Sequence, residues 1–177
     1  MTAKVYDRRS ANESLVQRYI NKTRRSHALE HATIHVLNQR MPALQLMGRS
    51  TASGFYLYGE VPTETVASAA SEALSRLRSG QAGLAVHPRC GTNLAVGALL
   101  SGLTSLLVVS GSQRRRTSQF PQLVLGVTLA LLASQPLGRL VQKEVTTLPD
   151  VEHVRIADIR QQRMGRTLVH HVQLDQG

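Results

Sequence analysis

His27, Glu30 and His31 stand within five positions of one another in the stretch RRSHALEHATIHVL, residues 24–37. The stretch otherwise reads as ordinary helix. On a helix, residues four apart lie about 40° apart around the axis, so His27 and His31 point the same way one turn apart and can chelate one ion. Glu30 flanks the same face. A hydrolytic zinc takes about three protein ligands and keeps one position open, where water becomes acidic near neutral pH. A neighbouring carboxylate can then remove and return the proton. The same residues also admit a plain structural reading: a polar helix face on which the histidines pair with Glu30 or with backbone, while Arg24 and Arg25 make salt bridges.

A second stretch, HPRCGTN at 87–93, extends the chemistry. Its His87 and Cys90 are spaced as a chelating turn spaces them. Pro88 keeps His87 out of helical conformation, Gly91 permits a tight turn, and Thr92 or Asn93 can cap the helix that follows. His27, His31, His87 and Cys90 together form a mixed nitrogen and sulfur set that suits zinc. If all four bind, the tetrahedron is closed and Glu30 only orients a histidine. If His87 or Cys90 stays outside, a position opens for water and Glu30 has something to activate. His35 lies a further turn along, about 80° from His27, and reads as a supporting or surface residue. The function-free alternative makes Cys90 a small buried residue in a turn at a membrane boundary. The H-x-x-E-H order is also the reversed zincin signature of the inverzincins.

The elements that must position these groups are legible in outline. The chain of 177 residues fits one domain with a real core, or a small domain plus a membrane element. Two segments, TNLAVGALLSGLTSLLVVSG (92–111) and FPQLVLGVTLALLASQPLG (120–138), carry no charge, and each approaches the roughly 20 residues needed to cross a bilayer. They read as a transmembrane helical hairpin rich in small residues, the alternative being a buried hairpin in a soluble oligomer. Pro121 suits a first helical turn, and Pro136 is expected to end or kink the second helix.

Upstream, SANESLVQRYINKTRRSHALEHATIHVLNQRMP has helical spacing, with Ser10 or Asn12 as caps, Pro42 as a stop, and apolar faces from Leu15, Tyr19, Leu29, Ile34 and Leu37. A break near Asn21–Arg25 would divide it in two. ALQLMGRSTASGFYLYGEV reads as a β-hairpin, and PTETVASAASEALSRLRSG as a helix from Pro62 and Thr63 to Gly80, with Val66, Ala70, Ala73, Leu74 and Leu77 inward. The tail, VEHVRIADIRQQRMGRTLVHHVQL, reads as two strands joined at Met164–Gly165, its His170–His171 pair being surface residues or an exposed metal trap. The expectation is an α+β fold: residues 1–91 a metal-binding helix and β-hairpin domain, 92–141 the apolar helical hairpin, and 142–177 a C-terminal β-hairpin packing back on the first domain.

The pairing of HALEH with HPRCGT, followed at once by an apolar segment, resembles a family of bacterial membrane proteins catalogued as predicted metal-dependent enzymes of unknown function. The likeness continues through GRLVQKEVTTLPDVEHVRIA, similar to that family's Q…LTT…PD exit, and covers roughly residues 24–158 in blocks. The chain also looks like a member of an uncharacterised cyanobacterial-type branch in which HALEHATIHVL, GFYLYG and HPRCGTNLA stand together. It departs from the larger family in being shorter and in having a single apolar hairpin. By residue, the resemblance implies His27, Glu30, His31, His87 and Cys90.

Charge and composition narrow the function. A balance of 21 Lys and Arg against 11 Asp and Glu suits an anionic partner such as a lipid surface. Residues 1–92 hold twelve basic and six acidic side chains, Arg114–Arg116 form a separate knot, and from Lys143 the tail is balanced at five against five. Two Phe, four Tyr and no Trp leave little for base stacking, so no specific nucleic acid is expected. The single cysteine excludes an internal disulfide, and the first residues lack the apolar run of a cleaved signal. The reading is a membrane-anchored zinc-dependent hydrolase, peptidase-like, with one zinc ion and Glu30 as general base. Its expected partners are membrane lipid, a protein or peptide substrate and a second copy in a homo-oligomer. Its place is an inner or thylakoid membrane, with the main domain on the cytoplasmic side although the three loop arginines pull the other way. The alternative is a non-catalytic assembly factor or scaffold with a structural metal.

Overall fold

A computed structural model describes residues 14–110 and 116–177, with backbone alone at 116–118. The residues named above as caps, Ser10 and Asn12, and the loop residues Arg114 and Arg115 lie outside the described residues. The fold is α+β: among the described residues, four α-helices and a four-stranded antiparallel sheet that includes a C-terminal hairpin. The chain divides into two compact units, Met1–Ala85 with Thr147–Gly177, and Val86–Thr146.

In the first unit, helix α1 runs unbroken from Leu15 to Arg40, with no interruption near Asn21–Arg25. Ser14 caps it, its hydroxyl accepting from the Gln17 N–H at 3.2 Å. The apolar faces differ from expectation. Leu29, Ile34 and Leu37 are buried, but Leu15 and Tyr19 are exposed, because only the second half of α1 meets other elements of this unit. Strands β1 (Met47–Thr51) and β2 (Gly54–Tyr58) form the expected hairpin. Helix α2 (Thr63–Arg78) buries Val66, Ala70, Ala73, Leu74 and Leu77 as its spacing requires.

Strands β3 (Arg155–Met164) and β4 (Thr167–Asp175) turn at Gly165, whose φ of +61° meets the demand of a two-residue hairpin loop on its first position. The sheet order is β1-β2-β4-β3. The apolar strands β2 and β4 take the centre and the polar β1 and β3 the edges, where backbone groups can meet water. Phe55, Leu57, Val172 and Leu174 pack with Leu29, Leu37, Val66 and Leu77 into one core.

In the second unit, α3 (Gly91–Ser110) and α4 (Arg116–Val141) form an antiparallel helical hairpin that runs on into a wide π-type turn, Gln142–Thr146. Both helices are long and apolar enough to cross a membrane, and only 11% of either apolar window is buried. The helices approach closely through small residues: a Cβ on Gly97 would meet Ser134 Oγ at 3.3 Å, and one on Gly126 would meet Thr104 Cγ2 at 2.8 Å. Pro136 does not end α4, which continues to Val141. Pro136 leaves Leu132 O without its helical N–H partner, which an apolar helix tolerates where a neighbouring helix packs against it. Pro121 lies inside the helix, beyond its first turn.

The two units predict opposite responses to truncation. Phe55 is fully buried, so Phe55→Ala should cost about 3–5 kcal/mol, read as lost amide-exchange protection in β2 and β4. Leu106 is 64% exposed on α3, and Leu106→Ala in detergent should leave protection in both units unchanged.

Candidate functional site

Three of the expected residues sit on the buried half of α1. The His27 and His31 rings meet edge to face, centroids 4.3 Å apart, as one-turn spacing demands. His31 is 1% exposed, and its Nδ1 lies 2.7 Å from the Ala85 carbonyl oxygen. A carbonyl can only accept, so Nδ1 carries the proton and the lone pair of the neutral ring is on Nε2. That is how a metal-binding histidine is usually oriented, by a backbone carbonyl on its far nitrogen. His35 is half-buried further along the helix.

Glu30 is 5% exposed. Desolvation raises its pKa above the ordinary carboxylate value, opposed by a hydrogen bond from Ser50 and by the charge of His27. The Ser50 hydroxyl donates to Oε2, while Oε1 lies against Gly48 on the same strand. A Cβ on Gly48 would overlap that oxygen, so β1 passes Glu30 only because this position has no side chain. Arg24 and Arg25 do not compete for the carboxylate. Arg24 donates to Thr147 O at 3.1 Å, and Arg25 donates to Asp150 O at 3.0 Å and pairs with its carboxylate at 3.8 Å.

His87 and Cys90 belong to the second unit, in the turn before α3. The Cys90 N–H donates to His87 O at 3.3 Å, and the Thr92 N–H donates to Cys90 Sγ at 3.4 Å. The sulfur therefore caps α3, in place of Thr92 or Asn93, since Cys90 is the residue just ahead of the first helical turn. The Asn93 side chain does different work. Its amide donates to Pro88 O at 2.7 Å and its oxygen accepts from Gln142 Nε2 at 2.8 Å, while Gln142 Oε1 accepts the His87 N–H at 2.8 Å. This ring of buried bonds fixes the HPRC turn, and Gly138 makes room for it, since a Cβ there would overlap Asn93 Oδ1. The Arg89 N–H donates to His87 Nδ1 at 3.3 Å, which places the proton of neutral His87 on Nε2.

Sequence reasoning did not single out Ser50, Gly48, Ala85, Gln142 or Gly138 as parts of these arrangements. A glycine inside a strand is a sign of close backbone approach, so Gly48 had a signal. The Ala85 carbonyl had none, being a backbone group. The paired histidines of β4 are not an exposed metal trap. His170 is 1% exposed and 3.2 Å from Thr63 Oγ1, while His171 stacks on Tyr56 at 4.2 Å. Neighbouring strand residues face opposite sides of the sheet. Burial lowers the pKa of both.

Residues 22–159 match a family described as "Domain of unknown function (DUF6391)", a span that takes in all five residues His27, Glu30, His31, His87 and Cys90. An uncharacterized protein of Picosynechococcus sp. (strain PCC 7002) is 39% identical over 134 residues, 70% of this chain and 65% of that protein. The chain thus spans just under two thirds of the length of that curated relative. No solved structure matches.

The fit of β1 to α1 predicts a specific coupling. Gly48→Ala should destabilise the first unit by about 1–3 kcal/mol through overlap with Glu30. In a Glu30→Ala background the same change should cost at least about 0.5 kcal/mol less, a double-mutant cycle read by amide exchange; strictly additive costs would refute the contact.

Proposed function

The chain belongs to the DUF6391 family, and on that premise we propose that it is a membrane-anchored, metal-dependent hydrolase of peptidase-like mechanism. His27, His31 and Cys90 are the ligands in this reading and Glu30 is the general base; the donor set of two imidazoles and a thiolate suits zinc. The observation that carries the proposal is the 2.7 Å bond between His31 Nδ1 and Ala85 O, which presents the Nε2 lone pair. The geometry of α1 thus fits a metal-binding histidine. Cys90 follows Ala85 by five residues in the chain, at the positive end of α3, where a thiolate is favoured.

Three ligands leave a coordination position open, whereas four close it. His87 favours the open case, because its Nδ1 lone pair accepts from the Arg89 N–H and its Nε2 carries the proton. We assign it to holding the turn. A divalent cation supplies Lewis acidity, which makes water nucleophilic near neutral pH and polarises a carbonyl. Glu30 does the proton transfer: burial raises its pKa toward the working range of a general base, and the Ser50 hydroxyl holds Oε2 so that the carboxylate keeps one orientation. The helices α3 and α4 supply the anchor, and the basic first unit suits the cytoplasmic side, facing anionic lipid. The substrate class is protein or peptide, and no nucleic acid is involved.

A second reading keeps the metal but makes it structural, in a scaffold or assembly factor. The burial of Glu30 against Ser50 favours it, since a carboxylate that only orients its neighbours looks the same. Metal analysis of the purified chain in detergent comes first: about one zinc per chain is expected, and a His27→Ala/His31→Ala variant should lose it. Full retention sinks both readings. Glu30→Gln then separates them. In the hydrolase it keeps metal and fold and lowers cleavage of fluorescein-labelled casein by about 10²-fold or more. A zinc-loaded wild-type chain that does not cleave, or a Glu30→Gln variant that sheds its zinc, assigns the metal to structure.

A further inference from the structure

A cavity of about 380 Å³ opens in the helical hairpin, lined at one end by Arg89, Cys90 and Asn93 and along its length by Leu94, Ala98 and Leu131. The volume is that of a site for a small amphiphile. Its lining is graded. Arg89, in the turn before α3, is exposed and has no carboxylate partner among the described residues. Beyond it the wall is mostly aliphatic, with Ser134 and Gln135 on the α4 side, and Gly97 lacks the side chain that would fill the space against Ser134. A cation at the mouth and a largely aliphatic channel behind it match one chemistry, an anionic headgroup on an acyl chain.

The position fits the same ligand. Arg89 precedes the first residue of a 20-residue apolar helix, so with α3 across a bilayer the guanidinium stands at headgroup level and Leu94 and Ala98 stand among the acyl chains. Lipid is also the solvent of this face, where Leu94 is 77% exposed. We propose that this cavity is a binding site for an anionic phospholipid, its phosphate on Arg89 and one acyl chain along Leu94, Ala98 and Leu131. The inference rests on α3 and α4 spanning a membrane and does not require hydrolysis or a bound metal.

The absence of tryptophan makes the test direct. Leu94→Trp places a single reporter at the cavity, and Leu106→Trp places one on α3 away from it. Each full chain is reconstituted in phosphatidylcholine vesicles in which either a fraction of brominated phosphatidylglycerol or the same fraction of brominated phosphatidylcholine quenches nearby indole. At Leu94→Trp the anionic lipid should be preferred roughly five-fold, the factor one basic side chain supplies at a membrane surface, and Arg89→Gln should abolish the preference. At Leu106→Trp the two lipids should quench equally. Equal quenching at Leu94→Trp, or a preference that survives Arg89→Gln, overturns the proposal. So does protection of Leu94→Trp from both lipids while Leu106→Trp is quenched, which marks the cavity as filled by a second copy of the chain. Absence of quenching at both positions removes the membrane-spanning premise itself, and the site with it.

Discussion

A carboxylate taken out of water costs several kcal/mol unless its neighbours replace the lost hydration, and the first unit is arranged around one such group. Glu30 is on the inner face of α1, 5% exposed, in a helix half whose other buried residues are mostly aliphatic, with Ser26, His31 and Thr33 beside them. Strand β1 meets the demand in two ways at two residues. Ser50 points a hydroxyl at Oε2, and Gly48, two positions earlier on the same face, leaves space for Oε1. The register of the β1–β2 hairpin follows, since a slip by one residue would turn the Ser50 hydroxyl and the gap at Gly48 away from Glu30. With β2 paired to β4 and β4 to β3, that register joins a sheet whose apolar residues Phe55, Leu57, Val172 and Leu174 seat it on the core.

The second unit obeys a different constraint. In α3 and α4 there is little polarity to specify a partner, so approach distance does: Gly97 faces Ser134, Gly126 faces Thr104, and Gly138 faces Asn93. The last pair does more than pack. Asn93 reaches back to Pro88 O and across to Gln142, and Gln142 reaches the His87 amide, so the start of α3 and the end of α4 are tied by hydrogen bonds where the apolar stretch stops. Buried polar groups of this kind are stable only when all are satisfied, and here each partner is a fixed backbone or amide group. The outcome is a rigid HPRC turn with the Cys90 sulfur at the head of α3.

Two histidines that look alike in sequence acquire opposite chemistry from these surroundings. His31 has its Nδ1 on a carbonyl and His87 has its Nδ1 on an N–H, so their neutral rings carry the proton on opposite nitrogens. One is oriented to give a lone pair from Nε2; the other has already committed its lone pair to the backbone. Residue type alone cannot make that distinction, because both tautomers of imidazole are close in energy and the hydrogen-bond partner selects between them.

Residue spacing alone determined much here. The i and i+4 histidines had to share a face, the two uncharged segments had to be helices long enough to cross a bilayer, and Met164–Gly165 had to begin a turn, because each depends on local periodicity or on the backbone preference of one residue. The helix over Thr63–Arg78 and its five inward positions were equally legible. What local pattern leaves open was decided by contacts far along the chain. Which half of α1 is buried depends on where α2 and the sheet lie, and Leu15 and Tyr19, apolar at the right spacing, are exposed for want of an opposing surface. Pro136 remains inside its helix because the packing of α3 against α4 outweighs its local preference. The protonation of His31 rests on a carbonyl 54 positions away, and the rigidity of the HPRC turn on a glutamine 55 positions from His87. Hydrogen bonds to backbone atoms leave no trace in residue identity, and so only the folded chain could supply them.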